Sequence, residues 1–182
     1  MEVGFRQLNL PSESNVFAEW LTSEEWPFHS NPTVSKERVL ELIEKGFYSE
    51  PNHRTFWIIK RDSDERIGFI RLFDLEDIGD GSPLFDLRIA KKHRGQGIGK
   101  RAVRWLTNFL FESWPELKRI EGTTRVDNLS MRSIFKQCGY VKEGHYRKAW
   151  PTSDGQRLDT VQYAILREDW ISGTPTLVTW ND

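Results

Sequence analysis

His93-Arg94-Gly95-Gln96-Gly97-Ile98-Gly99-Lys100, HRGQGIGK, sets three glycines at alternate positions between basic residues. Upstream, SPLFDLRIA has the apolar, β-branched character of a strand. Downstream, Ile98, Ala102, Trp105, Leu106, Phe109 and Leu110 recur at three- and four-residue steps, so the loop opens a long amphipathic helix that Pro115 ends. Small residues let a backbone approach an anion closely, and the free amides and dipole of a helix start favour negative charge. Arg94 and Lys100 add full charges. The loop is not a P-loop, because Arg94 stands where the first glycine is needed and Arg101 where Ser or Thr is needed. Nor is it the dinucleotide fingerprint, whose third glycine follows the second by three residues, whereas Gly99 follows Gly97 by two. A plain glycine turn is the competing reading, and the flanking bases disfavour it. Spacing alone says only that the loop holds an anion.

Around this junction the hydrophobic period changes repeatedly. VGFRQLNL reads as a strand, and residues 14–25 (Val16, Phe17, Trp20, Leu21) and 33–47 (Val39, Leu40, Ile43, Phe47) as two short helices. RTFWIIK and RIGFIRLFDLE, separated by the polar RDSDE, predict a hairpin. After the helix, KRIEGTTRV is a strand and SMRSIFKQC a short helix stopped by Gly139. YVKEGHYRKAW and TVQYAILRE are closing strands around TSDGQ. The expectation is α/β, with a mixed sheet whose central strand feeds the glycine loop.

At 182 residues the chain is one ordinary domain, with a core over about residues 3–170 and a short tail, 171–182. Its 37% hydrophobic and 29% charged residues place it among globular proteins. A formal charge of -1 argues against a large basic footprint, so nucleic acid is not an expected partner. MEVGFRQLNL lacks the pattern of a secretory signal, and no run approaches the ~20 apolar residues of a membrane helix. Cys138 is the lone cysteine, which excludes an internal disulfide. The expected location is the cytoplasm, with no membrane partner, as a monomer or homodimer.

LRIAKKHRGQGIGKRAVRWL resembles the acetyl-coenzyme A signature of the GNAT N-acetyltransferase superfamily, Arg/Gln-x-x-Gly-x-Gly/Ala at a strand-to-helix junction; Arg94, Gly97 and Gly99 fit it. RIEGTTRVDNLSMRSIFKQCGYVKEGHYR resembles the family's later strand, asparagine, helix and Gly-aromatic series, with Asn128 and Gly139-Tyr140 at the matching separation. GQRLDTVQYAILREDW resembles the close of the ribosomal-protein N-terminal acetyltransferase branch, the RimJ/RimL-like group. The resemblance implies a mostly antiparallel mixed sheet with a splayed parallel central pair, flanked by helices on both faces. It also implies acetyl transfer from acetyl-coenzyme A to an amine by direct attack in a ternary complex, without a metal.

Residue by residue, the resemblance assigns the pyrophosphate to Arg94, Gly95, Gln96, Gly97, Ile98, Gly99 and Lys100, and the pantetheine arm to the backbone of Arg88, Ile89 and Ala90. An amide donor in that strand can stabilise the oxyanion of the reacting thioester. Asn128 is expected either at the pantetheine or as a helix cap, and can do both. The attacking amine must lose a proton, and Glu121 is the first candidate to take it, Glu143 the second, against the alternative that either is a solvated surface charge. Relatives often carry a proton-donating tyrosine seven residues after the asparagine; here Phe135 stands there, and it can give the thiol neighbour only shape. Met131 occupies the place of a serine used by others, with Ser130 one position off, so no general acid is assigned.

The family's first two helices and their connection form one wall of the acceptor site, which makes Trp26, Phe28 and His29 in TSEEWPFHSNP the candidates there. The acidic run Asp74, Glu76, Asp77 and Asp80 suits a cationic partner or a solvated loop. The histidines lack ligand spacing, so no metal site is expected. The acceptor is a protein α-amine, or a small amine of the polyamine or aminoglycoside kind. A non-catalytic acyl-coenzyme A sensor is the different class that the absent tyrosine leaves open.

Overall fold

The computed structural model describes residues 2–29, 31–49, 51–76, 78–79 and 82–180. The elements run β1 (Val3–Gln7), α1 (Ser14–Thr22), α2 (Lys36–Glu44), β2 (Arg54–Lys60), β3 (Glu65–Phe73), β4 (Leu84–Ile89), a 3-10 turn (Lys91–His93), α3 (Ile98–Ser113), β5 (Arg119–Arg125), α4 (Leu129–Gln137), β6 (Val141–Pro151), β7 (Arg157–Leu166) and α5 (Arg167–Ser172). The strands form a four-stranded sheet in the order β1-β2-β3-β4 and a three-stranded sheet in the order β5-β7-β6. The architecture is α/β, with antiparallel ladders and helices packed on the sheets. Two compact units are discernible, Met1–Glu76 with Phe85–Ile98, and Asp77–Leu84 with Gly99–Asp182.

In the first unit, β2 is apolar on both faces over Phe56, Trp57 and Ile58, which are all buried. Its partner β3 supplies Phe69 to the same core as Trp57. Phe17, Ala18 and Leu21 of α1 and Val39 of α2 close that face, and the Phe17 ring meets Tyr48, Trp57 and Phe69 edge-on at 4.8, 5.4 and 5.2 Å. Both helices are shorter than their apolar period predicted. α2 begins where the Ser35 side chain caps the Arg38 amide and ends at Glu44, which leaves Phe47 exposed in the following turn, and α1 stops at Thr22. Gly68 is required by β4: an added Cβ would stand 2.5 Å from the Arg88 carbonyl oxygen.

In the second unit, Tyr163 of β7 is fully buried and stacks on Phe135 of α4, with centroids 4.9 Å apart and planes 12° apart. Tyr140 flanks the same ring at 5.3 Å, and its hydroxyl pairs with Thr107 of α3 at 2.8 Å. At the far end of α3, Arg167 donates to the carbonyl oxygens of Phe111, Trp114 and Leu117, a charged closure of a helix C-terminus. That use of Arg167 corrects the last strand: TVQYAILRE does not stay extended, because β7 ends at Leu166 and Arg167 opens α5.

Candidate active site

β4 and the loop after it decide what the first unit can hold. The Ala90 amide donates to Ile67 of β3 at 2.9 Å, and the Arg88 carbonyl also faces β3, against Gly68. Backbone groups alternate along a strand, so Ile89 between them turns its own N–H and C=O to the outer edge, where the sheet ends. The Ile89 carbonyl is capped by Arg94 Nε at 2.7 Å. The Ile89 N–H is therefore the donor this edge presents. Of its neighbours, expected beside it, Arg88 turns its carbonyl and Ala90 its N–H to β3 instead, and the Ala90 carbonyl accepts from the His93 amide.

The loop itself is built for close approach. Gly95 and Gly97 both take φ of +75°, and an added Cβ at either would meet nothing within 4 Å. Open space on the loop's surface with a left-handed backbone is the form that an anion cradle requires. Ile98 is buried at the first turn of α3, which fixes the loop to the helix, and Gln96 donates back to the Lys92 carbonyl at 3.2 Å. The thioester donor's pyrophosphate fits these residues.

Arg94 is already engaged. Its Nη2 lies 2.9 Å from Glu24, its Nε holds Ile89, and its guanidinium stands 5.5 Å from the Trp26 centroid. Both Glu24 oxygens also accept from the Lys91 amide, at 3.0 and 3.1 Å. Glu24 thus ties the α1–α2 connection to the start of the glycine loop, a role sequence reading did not give it.

Of the acceptor-wall candidates, Trp26 is 2% exposed, donates to the Leu21 carbonyl and stacks on Trp20, so it is a core residue rather than a free aromatic face. Phe28 is exposed. His29 pairs through Nε2 with Asp86 of β4 at 2.9 Å, and Arg88 grips Asp86 from its own strand at 3.0 Å. Of the acidic run, Asp74 and Glu76 face His53, with Asp74 also near Arg71, and Asp77 and Asp80 lie outside the described residues.

In the second unit, Arg119 donates to Glu121 and to Glu143, at 2.8 Å each, and Gln162 donates to the other Glu121 oxygen at 2.6 Å. The Tyr146 hydroxyl completes the chain on Gln162. Glu143 reaches Arg119 because it is a bulge residue: Lys142 pairs with Tyr163 and Gly144 with Gln162, which leaves Glu143 as the extra residue. Although burial works against its charge, these partners hold the Arg119 guanidinium above its ordinary value. Asn128 caps α4, accepting from the Met131 amide at 3.2 Å and donating to Thr124 at 3.0 Å, while Phe135 is 1% exposed. The cysteine Cys138 points its thiol at the Lys100 carbonyl, 3.6 Å away. Among the described residues no group of His, Cys, Asp and Glu is placed to hold a metal ion, and no helix is long and apolar enough to cross a membrane.

Comparison with known proteins bears on the same segments. The chain is 23% identical over 164 residues to the spermidine N(1)-acetyltransferase of Vibrio cholerae, covering 90% of this chain and 87% of that one. It is 28% identical over 141 residues to the probable N-acetyltransferase YjcK of Bacillus subtilis, covering 78% and 76%. The crystal structure of the Vibrio cholerae spermidine N-acetyltransferase in complex with CoA and spermine superposes with a TM-score of 0.76 at 21% identity, over 93% of this chain and 98% of that one. The relative with a named acceptor is a spermidine acetyltransferase, so the RimJ/RimL-like placement is not carried past the superfamily. Residues 16–140, from α1 through the glycine loop to Tyr140, match the model of the acetyltransferase (GNAT) family, and the chain belongs to that family of acetyl-coenzyme A-dependent N-acetyltransferases.

Proposed function

We propose that this chain acetylates a small cationic amine of the polyamine class. The observation that carries the reading is the pairing, on one continuous segment, of an edge-facing Ile89 amide with an open, left-handed glycine loop. The loop from Arg94 to Lys100 holds the pyrophosphate, and the Ile89 N–H polarises the thioester carbonyl and stabilises its oxyanion. Asn128 and Phe135 are assigned to the pantetheine arm on the resemblance, and Phe28 with His29 to the acceptor. The acetyl donor supplies an activated carbonyl carbon; the chain supplies orientation, an oxyanion donor and a proton acceptor.

Similarity to a spermidine N(1)-acetyltransferase supports a polyamine acceptor, and so does the Glu121–Arg119–Glu143 cluster, which carries one more negative than positive charge. A protein α-amine is the second reading, and the close of the chain that resembles the ribosomal-protein branch favours it. Of the two glutamates, Glu121 has both oxygens engaged, whereas Glu143 accepts through Oε2, leaving Oε1 the freer acceptor for a proton. A cytoplasmic enzyme fits this substrate. One Vibrio cholerae spermidine N-acetyltransferase structure is described as dodecameric, so an assembly larger than the expected monomer or homodimer is the outcome to test by light scattering.

The deciding experiment is thiol release from acetyl-coenzyme A across an amine panel that includes spermidine, spermine, an aminoglycoside and N-terminal peptides. Highest kcat/KM on a polyamine is expected; preference for a peptide by tenfold or more overturns the acceptor assignment. Glu143→Gln and Glu121→Gln, measured from pH 6 to 9, rank the two carboxylates.

A further inference from the structure

The connection between α1 and α2 holds a better-prepared proton acceptor than either glutamate. His29 Nε2 lies 2.9 Å from Asp86 Oδ1, and Arg88 holds Oδ2 with Nε at 3.2 Å and Nη2 at 3.0 Å. Burial alone would raise the Asp86 carboxyl, but the hydrogen bond from His29 and the Arg88 charge outweigh it and keep it well below the usual carboxylate range. An ionised Asp86 only accepts, so Nε2 carries the hydrogen and the neutral ring's lone pair is left on Nδ1. Nδ1 is buried and has no hydrogen-bond partner among the described residues. A buried acceptor without a partner is costly, and at His29, unlike His53, the opposite ring nitrogen is fixed by a carboxylate that sets the tautomer. The ring is held in place by its edge contact with Trp26, at 6.4 Å and 83°.

We propose that His29 takes the proton of the acceptor amine, with Asp86 as its positioning residue and Arg88 as the charge that keeps Asp86 ionised. The proposal rests on the acetyl-transfer reading and moves the proton-accepting task from Glu121 and Glu143 to His29. As the amine nitrogen bonds to the thioester carbonyl carbon, its proton passes to the Nδ1 lone pair. The C–S bond then breaks with its electron pair on sulfur, and the imidazolium, facing Asp86, returns the proton to thiolate or water. Asp86 lies three residues before Ile89 on β4, a span of ~10 Å, and Nδ1, closed to solvent in the free chain, meets the amine once the bound acceptor displaces what covers it. The charged and titratable groups around the dyad are Arg88 from β4, Tyr48 and Arg71, which both feel the Asp86 charge, and Arg94 across Trp26 with its partner Glu24.

The test uses the full chain with saturating acetyl-coenzyme A and spermidine, then the same amine panel. His29→Gln should lower kcat by ~10²–10⁴-fold while coenzyme A affinity, by calorimetry, stays within about twofold, and the acidic limb of the kcat profile should disappear. His29→Ala should regain turnover with added imidazoles, each with a pH profile displaced according to its own pKa. Turnover of His29→Gln within about twofold of the unmodified chain overturns this proposal and leaves acetyl transfer standing, whereas no thiol release from the unmodified chain with any amine overturns both. Should the variants misfold, ring ¹⁵N shifts of the unmodified chain decide: a bare Nδ1 near neutral pH supports the proposal, and a protonated Nδ1 in the neutral ring overturns it.

Discussion

Truncating Phe135 tests the place where this chain parts from relatives that carry a tyrosine. The ring is 1% exposed and is packed between Tyr163, stacked at 4.9 Å, and Tyr140 at 5.3 Å. Phe135→Ala removes the ring from a site whose two neighbours are themselves held, Tyr140 by its hydrogen bond to Thr107 and Tyr163 by the central strand of its sheet. Collapse into the gap is therefore limited, and the loss should sit within the ~3–5 kcal/mol of buried phenylalanine truncations, of which ~0.5–1.5 kcal/mol belongs to ring stacking. Urea unfolding measures it as a shift in midpoint at constant slope. Phe135→Tyr asks the chemical question. A hydroxyl buried without a partner costs ~1–3 kcal/mol; if coenzyme A brings its thiol beside that hydroxyl, ligand should restore part of the loss, so the coenzyme A-induced rise in Tm should be larger in this variant than in the unmodified chain. A Phe135→Ala loss below ~1 kcal/mol would refute the packing argument, and equal Tm shifts would refute the placement beside the thiol.

Gly97→Val forces a β-branched residue to φ of +75° where space is open, so the fold should survive while coenzyme A affinity, read by calorimetry, is lost. Arg94→Ala should weaken that affinity in a salt-dependent way, and should also loosen Glu24, visible as faster amide exchange at Lys91. Gly68→Ala places a methyl 2.5 Å from the Arg88 oxygen and should destabilise the chain by ~1–3 kcal/mol in the same unfolding assay. The hydrogen bond from Arg6 outweighs burial and, with help from Arg66, lowers the Glu13 carboxyl from 4.5 to about 2. Between those values the unfolded chain binds more protons, so this contribution is complete above about pH 4.5 and is lost as pH falls through 2. It amounts to at most ~3 kcal/mol and should be missing from the acid-unfolding curve of Glu13→Gln.

Local pattern carried most of the fold. RTFWIIK is β2 residue for residue, because its apolar run ends at polar turns on both sides. KRIEGTTRV and SMRSIFKQC locate β5 and α4 to within a residue or two, since Asn128 caps one and Gly139 stops it. α1 and α2 were overextended because the apolar period has no marker for where a helix frays into a turn: α1 stops at Thr22, and α2 runs only from Lys36 to Glu44, leaving Phe47 exposed in the turn beyond it. The glycine loop was legible as an open turn leading into α3 because its signal is contiguous. The Asp86–His29 pair was not: its members are 57 residues apart, and only the sheet brings them together. Nor does spacing tell which of Arg88, Ile89 and Ala90 faces the edge, a choice fixed by the β3 register.

The bulge at Glu143 has a consequence for how this surface can change over generations. Removing one residue from a regular strand ordinarily moves every side chain beyond it to the opposite face. Here Lys142 already pairs with Tyr163 and Gly144 with Gln162, the next residue along β7, so loss of Glu143 alone would make this stretch of the ladder regular and leave its neighbours on the faces they occupy. The second carboxylate on Arg119 is thus a unit that a single in-frame codon deletion removes, or an insertion supplies, with no rearrangement of the strand that carries it.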